Sequence, residues 1–180
     1  MGGENVHVQN IHWLIFVYCL LLVMPPFSAA ANFLLPNRGT LQIEVPANWQ
    51  SRLEQPPGEL PPTIRLSDNR SLLLITPIWS TTGDAEFNDD GNIRKLIEND
   101  GKELIVTAVE TELIINKFAS QTINGYYFQL TDQNPKPGEF RFLCRSGVGV
   151  GELLLSVTYL SHQRDISDFL QIMNSISYLQ

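Results

Sequence analysis

The chain has 180 residues, of which 43% are hydrophobic and 17% charged, as is ordinary for a globular protein of one domain. Its 12 Lys and Arg residues against 19 Asp and Glu give a net charge of −7. This balance argues against nucleic acid or an anionic membrane surface as the main partner.

An uncharged apolar segment occupies residues 14–24 and is too short to cross a bilayer comfortably as a single helix. Together with the prolines and small residues that follow, it predicts a cleavable signal peptide over residues 1–30, cut after Ala30, and a periplasmic or secreted protein. The alternatives are an uncleaved membrane anchor or a start codon assigned too early, since residues 1–13 contain no Lys or Arg. Cleavage removes Glu4 and no base, leaving 12 basic and 18 acidic residues and a net charge of −6.

The first half of the mature chain has the pattern of short strands separated by turn residues. The run Ser71–Ile78 is nearly all apolar, which is typical of a strand buried on both faces. Four prolines between Gln55 and Pro62 predict a stiff surface loop, with a proline-rich ligand motif as the alternative. The strands predicted in this half are Asn32–Leu35, Thr40–Val45, Thr63–Leu66 and Ser71–Ile78.

Two segments have apolar residues at helical spacing. The first is predicted to begin at Asp89 and Asp90 and to end at Gly101, where a glycine can close a helix. The second runs from Ile166 to Ile176 with Asp165 as its cap. Between the two helices we expect strands at Glu103–Thr107, Glu112–Ile115 and Tyr126–Leu130, with a turn at Asn124–Gly125 before the last of them.

Residues 139–160 predict a central hairpin. Phe140, Phe142 and Cys144 share one face of its first strand, as the two-residue period of a strand requires. The turn is expected at Gly147, Gly149 and Gly151, where the backbone can adopt positive φ. The second strand is apolar on both faces, so we expect the terminal helix to pack on it.

Strands, a helix, more strands and a terminal helix predict an α+β fold: an antiparallel β-sheet with helices packed on its faces. The run from Leu41 to Trp49, the Ile123–Tyr126 stretch and the Gly151–Tyr159 strand with its following helix resemble the PsbP-like family. The resemblance covers nearly all of residues 32–180 and implies an α/β/α sandwich in a single domain, residues 31–180. Members of that family are mostly binding or assembly proteins, and the resemblance implies no common catalytic residue set.

Few residues offer catalytic chemistry. Cys144 is the only cysteine after cleavage, so no intramolecular disulfide is expected, and it is predicted to be a buried core residue. A dyad of Cys144 with His162 is the catalytic alternative. The Gly147–Gly151 stretch joins two strands and lacks the Lys-Ser/Thr of a phosphate loop, so it is not predicted to bind a nucleotide.

The acidic loop from Asp84 to Asp90 has the composition of a cation site, with Asp84, Glu86, Asp89 and Asp90 as the acids. An EF-hand alignment fails because its twelfth position falls on Ile97 instead of a carboxylate. We therefore interpret these acids as a solvated helix cap, with a metal-dependent binder or enzyme as the alternative.

Tryptophan is enriched at binding hot spots. Trp49 is predicted to be a packing residue after its strand, and Trp79 is the better candidate for a surface anchor.

The sequence thus predicts a non-catalytic binding or assembly protein of the bacterial cell envelope, without cofactor or metal. Its expected partner is another envelope protein. A membrane would be a partner only if the apolar segment is retained.

Overall fold

The computed structural model describes residues 29–58, 60–81, 87–118 and 123–180. These residues form two antiparallel sheets and two α-helices, so the chain is an α+β protein, as predicted. The strands and helices within this part of the chain are β1 (Ala29–Leu34), β2 (Thr40–Val45), β3 (Gln50–Glu54), β4 (Thr63–Ser67), β5 (Ser71–Ile78), α1 (Asp90–Leu104), β6 (Asn116–Lys117), β7 (Asn124–Thr131), β8 (Phe142–Val150), β9 (Leu153–Ser161), α2 (Ser167–Asn174) and β10 (Ser177–Leu179).

The larger sheet has seven strands in the order β3-β4-β5-β9-β8-β7-β6. The predicted hairpin is confirmed: β8 and β9 pair from Phe142↔Ser161 to Val150↔Leu153 at the centre of this sheet. The predicted turn is wrong in part, because Gly147 and Gly149 lie inside β8 and only Gly151 has a positive φ, at 55°. Asn124–Gly125 is likewise the start of β7 and not a turn.

Helix α1 packs on β7 and β8. Its buried side chains, Ile93 and Ile97, lie against the two strand glycines: a Cβ built on Gly147 would be 3.2 Å from each isoleucine, and one on Gly149 would be 3.1 Å from Ile93. The glycines therefore allow a close approach of helix and sheet, which is a common reason for glycine inside a strand.

The start of α1 is as predicted, but its end is not. Gly101 is buried inside the helix against Leu113, and α1 continues to Leu104, followed by a 3₁₀ turn at Ile105–Thr107. The predicted strands Glu103–Thr107 and Glu112–Ile115 are therefore wrong. Leu104, Ile105, Leu113 and Ile115 instead pack against the small core under α1, whereas Val106 and Ile114 are exposed.

The opposite face of the large sheet carries the main core. Helix α2 contributes the fully buried Phe169, whose ring lies 5.6 Å from that of Tyr159 on β9, so this helix contacts the second strand of the hairpin. A second sheet, β1-β2-β10, shares the same core, and β10 was not predicted. This face is thus covered by a small sheet as well as by a helix.

The predicted signal peptide lies outside the described residues except for Ala29 and Ala30. These two alanines begin β1, where they pair with Val45 and Glu44 and remain exposed. In the described part of the chain, no helix is both long and apolar enough to span a membrane.

Candidate functional site

The candidate site lies on the half of the large sheet that α1 does not cover in the described part of the chain. On β5, residues 74, 76 and 78 are half-buried while residues 73, 75 and 77 are buried, and β4 and β9 show the same alternation. Strands with this pattern have one face in the core and the other toward solvent. We call the solvent-side residues of β3, β4, β5 and β9 the open face.

The open face consists of rows of side chains that cross the strands. One row runs Arg52, Arg65, Leu74, Thr158 and ends at Arg145 on β8. The next row begins at Glu54, opposite Thr63, and continues through the hydroxyls of Thr63, Thr76 and Ser156; the Oγ1 atoms of the two threonines lie 2.9 Å apart. Hydroxyls and guanidinium groups thus alternate with aliphatic side chains.

Arg145 marks the border between the open face and α1. Its guanidinium lies 2.7 Å from a carboxylate oxygen of Asp100 on the helix and donates to the hydroxyl of Thr158. The two charged side chains are 23% and 27% exposed, so the pair is largely shielded from water. Arg145 therefore fixes the helix to the sheet and is not free for a ligand.

At the outer end of the same row, Arg52 and Arg65 lie directly opposite each other on neighbouring strands. Arg52 forms an ion pair with Glu54 on its own strand. Arg65 is half-buried, and no acidic group in the described residues pairs with it. Beside them, Gln50 lies opposite Ser67.

These residues line an open depression of about 270 Å³. Sequence reasoning missed it because β3, with the sequence QSRLE, has one apolar residue and gives no strand signal. Without β3, nothing in the sequence brings Arg52 next to Arg65.

The acids predicted as a helix cap are engaged within the fold. Asp89 accepts a hydrogen bond from the Asn92 backbone N–H, 2.7 Å away, and so caps α1. Asp90 accepts hydrogen bonds from Lys117 and from the Tyr126 hydroxyl, both 2.7 Å long. The bond from Lys117 makes the larger contribution, and the two bonds together lower the pKa of Asp90.

Asp84 and Glu86, the other members of the acidic loop, lie outside the described residues. Ile97, on which the EF-hand alignment failed, is buried against β8. No group of three potential metal ligands occurs among the residues that the structure describes.

The catalytic alternative joins residues that do not meet. Cys144 is buried, and this burial raises the pKa of its thiol, which opposes thiolate formation. His162 is exposed and stacks on Phe140 with ring centroids 4.7 Å apart. Within the described residues, no hydrogen bond links the cysteine to the histidine.

Glu110 lies near Cys144, beside a small crevice. Burial favours a higher pKa for this carboxyl, but the hydrogen bonds from the backbone and hydroxyl of Thr131, both 2.7 Å long, outweigh it, so the pKa of Glu110 is lowered. An ionised, fully hydrogen-bonded carboxylate serves to fix the ends of the strands.

The two predicted tryptophans differ in exposure. Trp49 is 7% exposed and packs in the main core, as predicted. Trp79 is half-buried against that core, with the guanidinium of Arg38 5.7 Å from its ring centroid. Trp79 is therefore a partly covered side chain and not a protruding anchor.

Comparison with known proteins gives the fold alone. No protein-family model matches the chain, and no curated protein matches it. A 1.50 Å crystal structure from Bacteroides thetaiotaomicron VPI-5482 is similar, with a TM-score of 0.51 and 13% identity over 78% of this chain. The match covers 45% of that protein, so this chain corresponds to less than half of its length.

Proposed function

We propose that the protein is an exported, non-catalytic binding or assembly protein of the bacterial cell envelope, with a PsbP-like fold, and that it binds through the open face. The observation that carries this proposal is the alternation on β4, β5 and β9, which leaves a wide face of half-buried side chains that neither helix of the described residues covers. A surface of this kind is available to a partner.

The residues best suited to catalysis have structural tasks instead. The Cys144 thiol is inside the core, and the Asp90 carboxylate is bound to Lys117 and Tyr126. These engagements favour binding over turnover as the function of the described part of the chain.

Export is supported by the sequence, through the apolar segment at residues 14–24 and the small residues before the proposed cut. A cut after Ala30 would leave Ala31 to pair with Ile43 at the start of the shortened β1. The expected location is the periplasm or the outside of the cell, and the expected partner is an envelope protein.

Site-directed crosslinking in the native host tests the role of the open face. A photoreactive residue at Thr76, on the open face, should give a specific crosslinked product in the envelope fraction. The matched control is the same residue at Lys95, which is exposed on α1 away from the sheet. Equal products from both positions, or turnover of a substrate by the purified protein, would contradict the proposal.

The intact mass of the same preparation tests export. A chain that begins at Ala31 supports a cleaved signal peptide. A full-length chain in the membrane fraction would instead make residues 14–24 an anchor.

A further inference from the structure

We infer that Arg52 and Arg65, with Gln50 and Ser67, bind a tetrahedral oxyanion: a phosphate or sulfate group carried by a water-soluble ligand or partner. This inference rests on the proposed role of the open face and specifies one chemical class of group that it binds. The four side chains form a two-by-two block, because Gln50 lies opposite Ser67 and Arg52 lies opposite Arg65 in the next outward-facing row of the same strands.

The juxtaposition of the two arginines is unfavourable without a ligand. Like charges directly opposite each other on neighbouring strands destabilise a sheet. Glu54 offsets one charge through its ion pair with Arg52, but Arg65 has no such partner among the described residues. An anion between the two guanidinium groups would neutralise this excess charge.

The donors present favour a tetrahedral oxyanion over a carboxylate. Each guanidinium carries five N–H donors in a planar fork, and the serine hydroxyl and glutamine amide add more. A phosphate or sulfate group has three or four oxygens to accept from several sides, whereas a carboxylate has two in one plane. No carboxylate lines the depression itself, and the nearest one, that of Glu54, is ion-paired with Arg52.

The size of the depression and the charge of the protein further define the ligand. A volume of about 270 Å³ is at the lower end for a small-molecule pocket, so it fits a charged group and a short part of the molecule that carries it. The hydroxyl row on β4, β5 and β9 lies beside the arginine row and offers neutral contacts to the rest of the ligand, with Glu54 at its outer end. A net charge of −7 opposes an anionic lipid surface, so we assign a soluble ligand.

Calorimetric titration of the full chain with inorganic phosphate, sulfate, acetate and glycerol 1-phosphate tests this site at constant ionic strength. Binding of phosphate and sulfate is expected, with acetate at least about fivefold weaker. Arg52→Gln and Arg65→Gln should each weaken phosphate binding about tenfold, as expected for losing a charge-assisted hydrogen-bond pair.

Two variants make the test specific. Arg65→Lys keeps the charge but loses the fork, so its affinity should fall between those of the parent and Arg65→Gln. Arg94→Gln removes an exposed, ion-paired arginine on α1 that matches Arg52 in both respects, and it should leave binding unchanged. Near-ultraviolet circular dichroism checks that each variant is folded.

Absence of saturable phosphate binding, or equal effects of Arg65→Gln and Arg94→Gln, would overturn the inference. Acetate binding as tight as phosphate would overturn the tetrahedral assignment. If the protein sediments with phosphatidic-acid vesicles, loses this sedimentation in Arg65→Gln, and binds the vesicles more tightly than glycerol 1-phosphate, the assignment to a soluble ligand would be overturned.

Failure of this site is distinguishable from failure of the proposed function. A specific crosslink at Thr76 without phosphate binding removes the oxyanion site only. Phosphate binding with equal crosslinks at Thr76 and Lys95 removes the proposed role of the open face while the anion site stands.

Discussion

Replacing Gly147 with alanine tests whether the strand glycines set the position of α1. The added methyl would lie 3.2 Å from Ile93 Cγ2 and 3.2 Å from Ile97 Cγ1, closer than an ordinary van der Waals contact. Overpacking of this kind costs about 1–3 kcal/mol, and the lower chain entropy of alanine returns about 0.5–1 kcal/mol. We expect a net loss of about 1–2 kcal/mol in the free energy of unfolding.

Urea unfolding measures this loss, and two further variants locate its cause. Ile97→Ala removes two of the three atoms nearest the new methyl and leaves Ile93 Cγ2 in place. The double variant should therefore be more stable than the sum of the two single changes predicts, by about 1 kcal/mol. Gly91→Ala is the control: its methyl has an ordinary contact of 3.6 Å, and alanine favours the helix. Unchanged stability in Gly147→Ala, or strict additivity with Ile97→Ala, would refute the reasoning.

Three other predictions concern ionisable groups. The pKa of Asp90 is lower in the folded than in the unfolded protein, so its bonds to Lys117 and Tyr126 stabilise the fold above the unfolded pKa of about 3.9, and this stabilisation is lost as the pH falls below it. Asp90→Asn should therefore make the melting temperature fall less steeply at acidic pH. Asp100→Asn leaves the half-buried Arg145 charge unpaired and should cost about 1–2 kcal/mol in urea unfolding, whereas no loss would show the pair to be neutral. Cys144 should react with a thiol reagent only as fast as the protein unfolds, and rapid labelling of the native chain would contradict its burial.

The sequence predicts the centre of the fold better than its edges. The β8–β9 hairpin and helix α2 have long, regular apolar patterns, and such patterns survive because many buried contacts require them. Strand β3 and strand β10 have few apolar residues, and their pairing depends on neighbours that are distant in the chain. Local sequence patterns do not specify such pairing between distant segments.

The errors near α1 have a similar cause. The run from Glu103 to Thr107 is rich in β-branched residues, yet it continues the helix because Leu104 and Ile105 pack in the small core under α1. Gly101 is a residue type that often ends a helix, but in the structure it lies within α1 and leaves space for the side chain of Leu113. Packing overrides local propensity in both places.

Only the structural roles of the alternative catalytic and acidic residues were predictable from the sequence. Burial of Cys144 and the capping role of Asp89 follow from local pattern and are confirmed. The pairing of Arg52 with Arg65 depends on the register of β3 with β4, which no local feature specifies.

The chemistry of the open face also indicates what could cover it. Gly147 and Gly149 place α1 over β7 and β8, and the Arg145–Asp100 pair closes the border beyond which the outward residues include Thr158 and Thr76. The hydroxyl of Thr76 bonds that of Thr63 and the hydroxyl of Thr158 accepts from Arg145, so an apolar helix on that half would chiefly bury the charge of Arg65, which has no acidic partner among the described residues. An anionic ligand could instead pair with Arg65 and Arg52, which lie opposite each other at the outer end of the row that contains Thr158. The outer end of the open face is therefore better suited to an anionic occupant than to an apolar one.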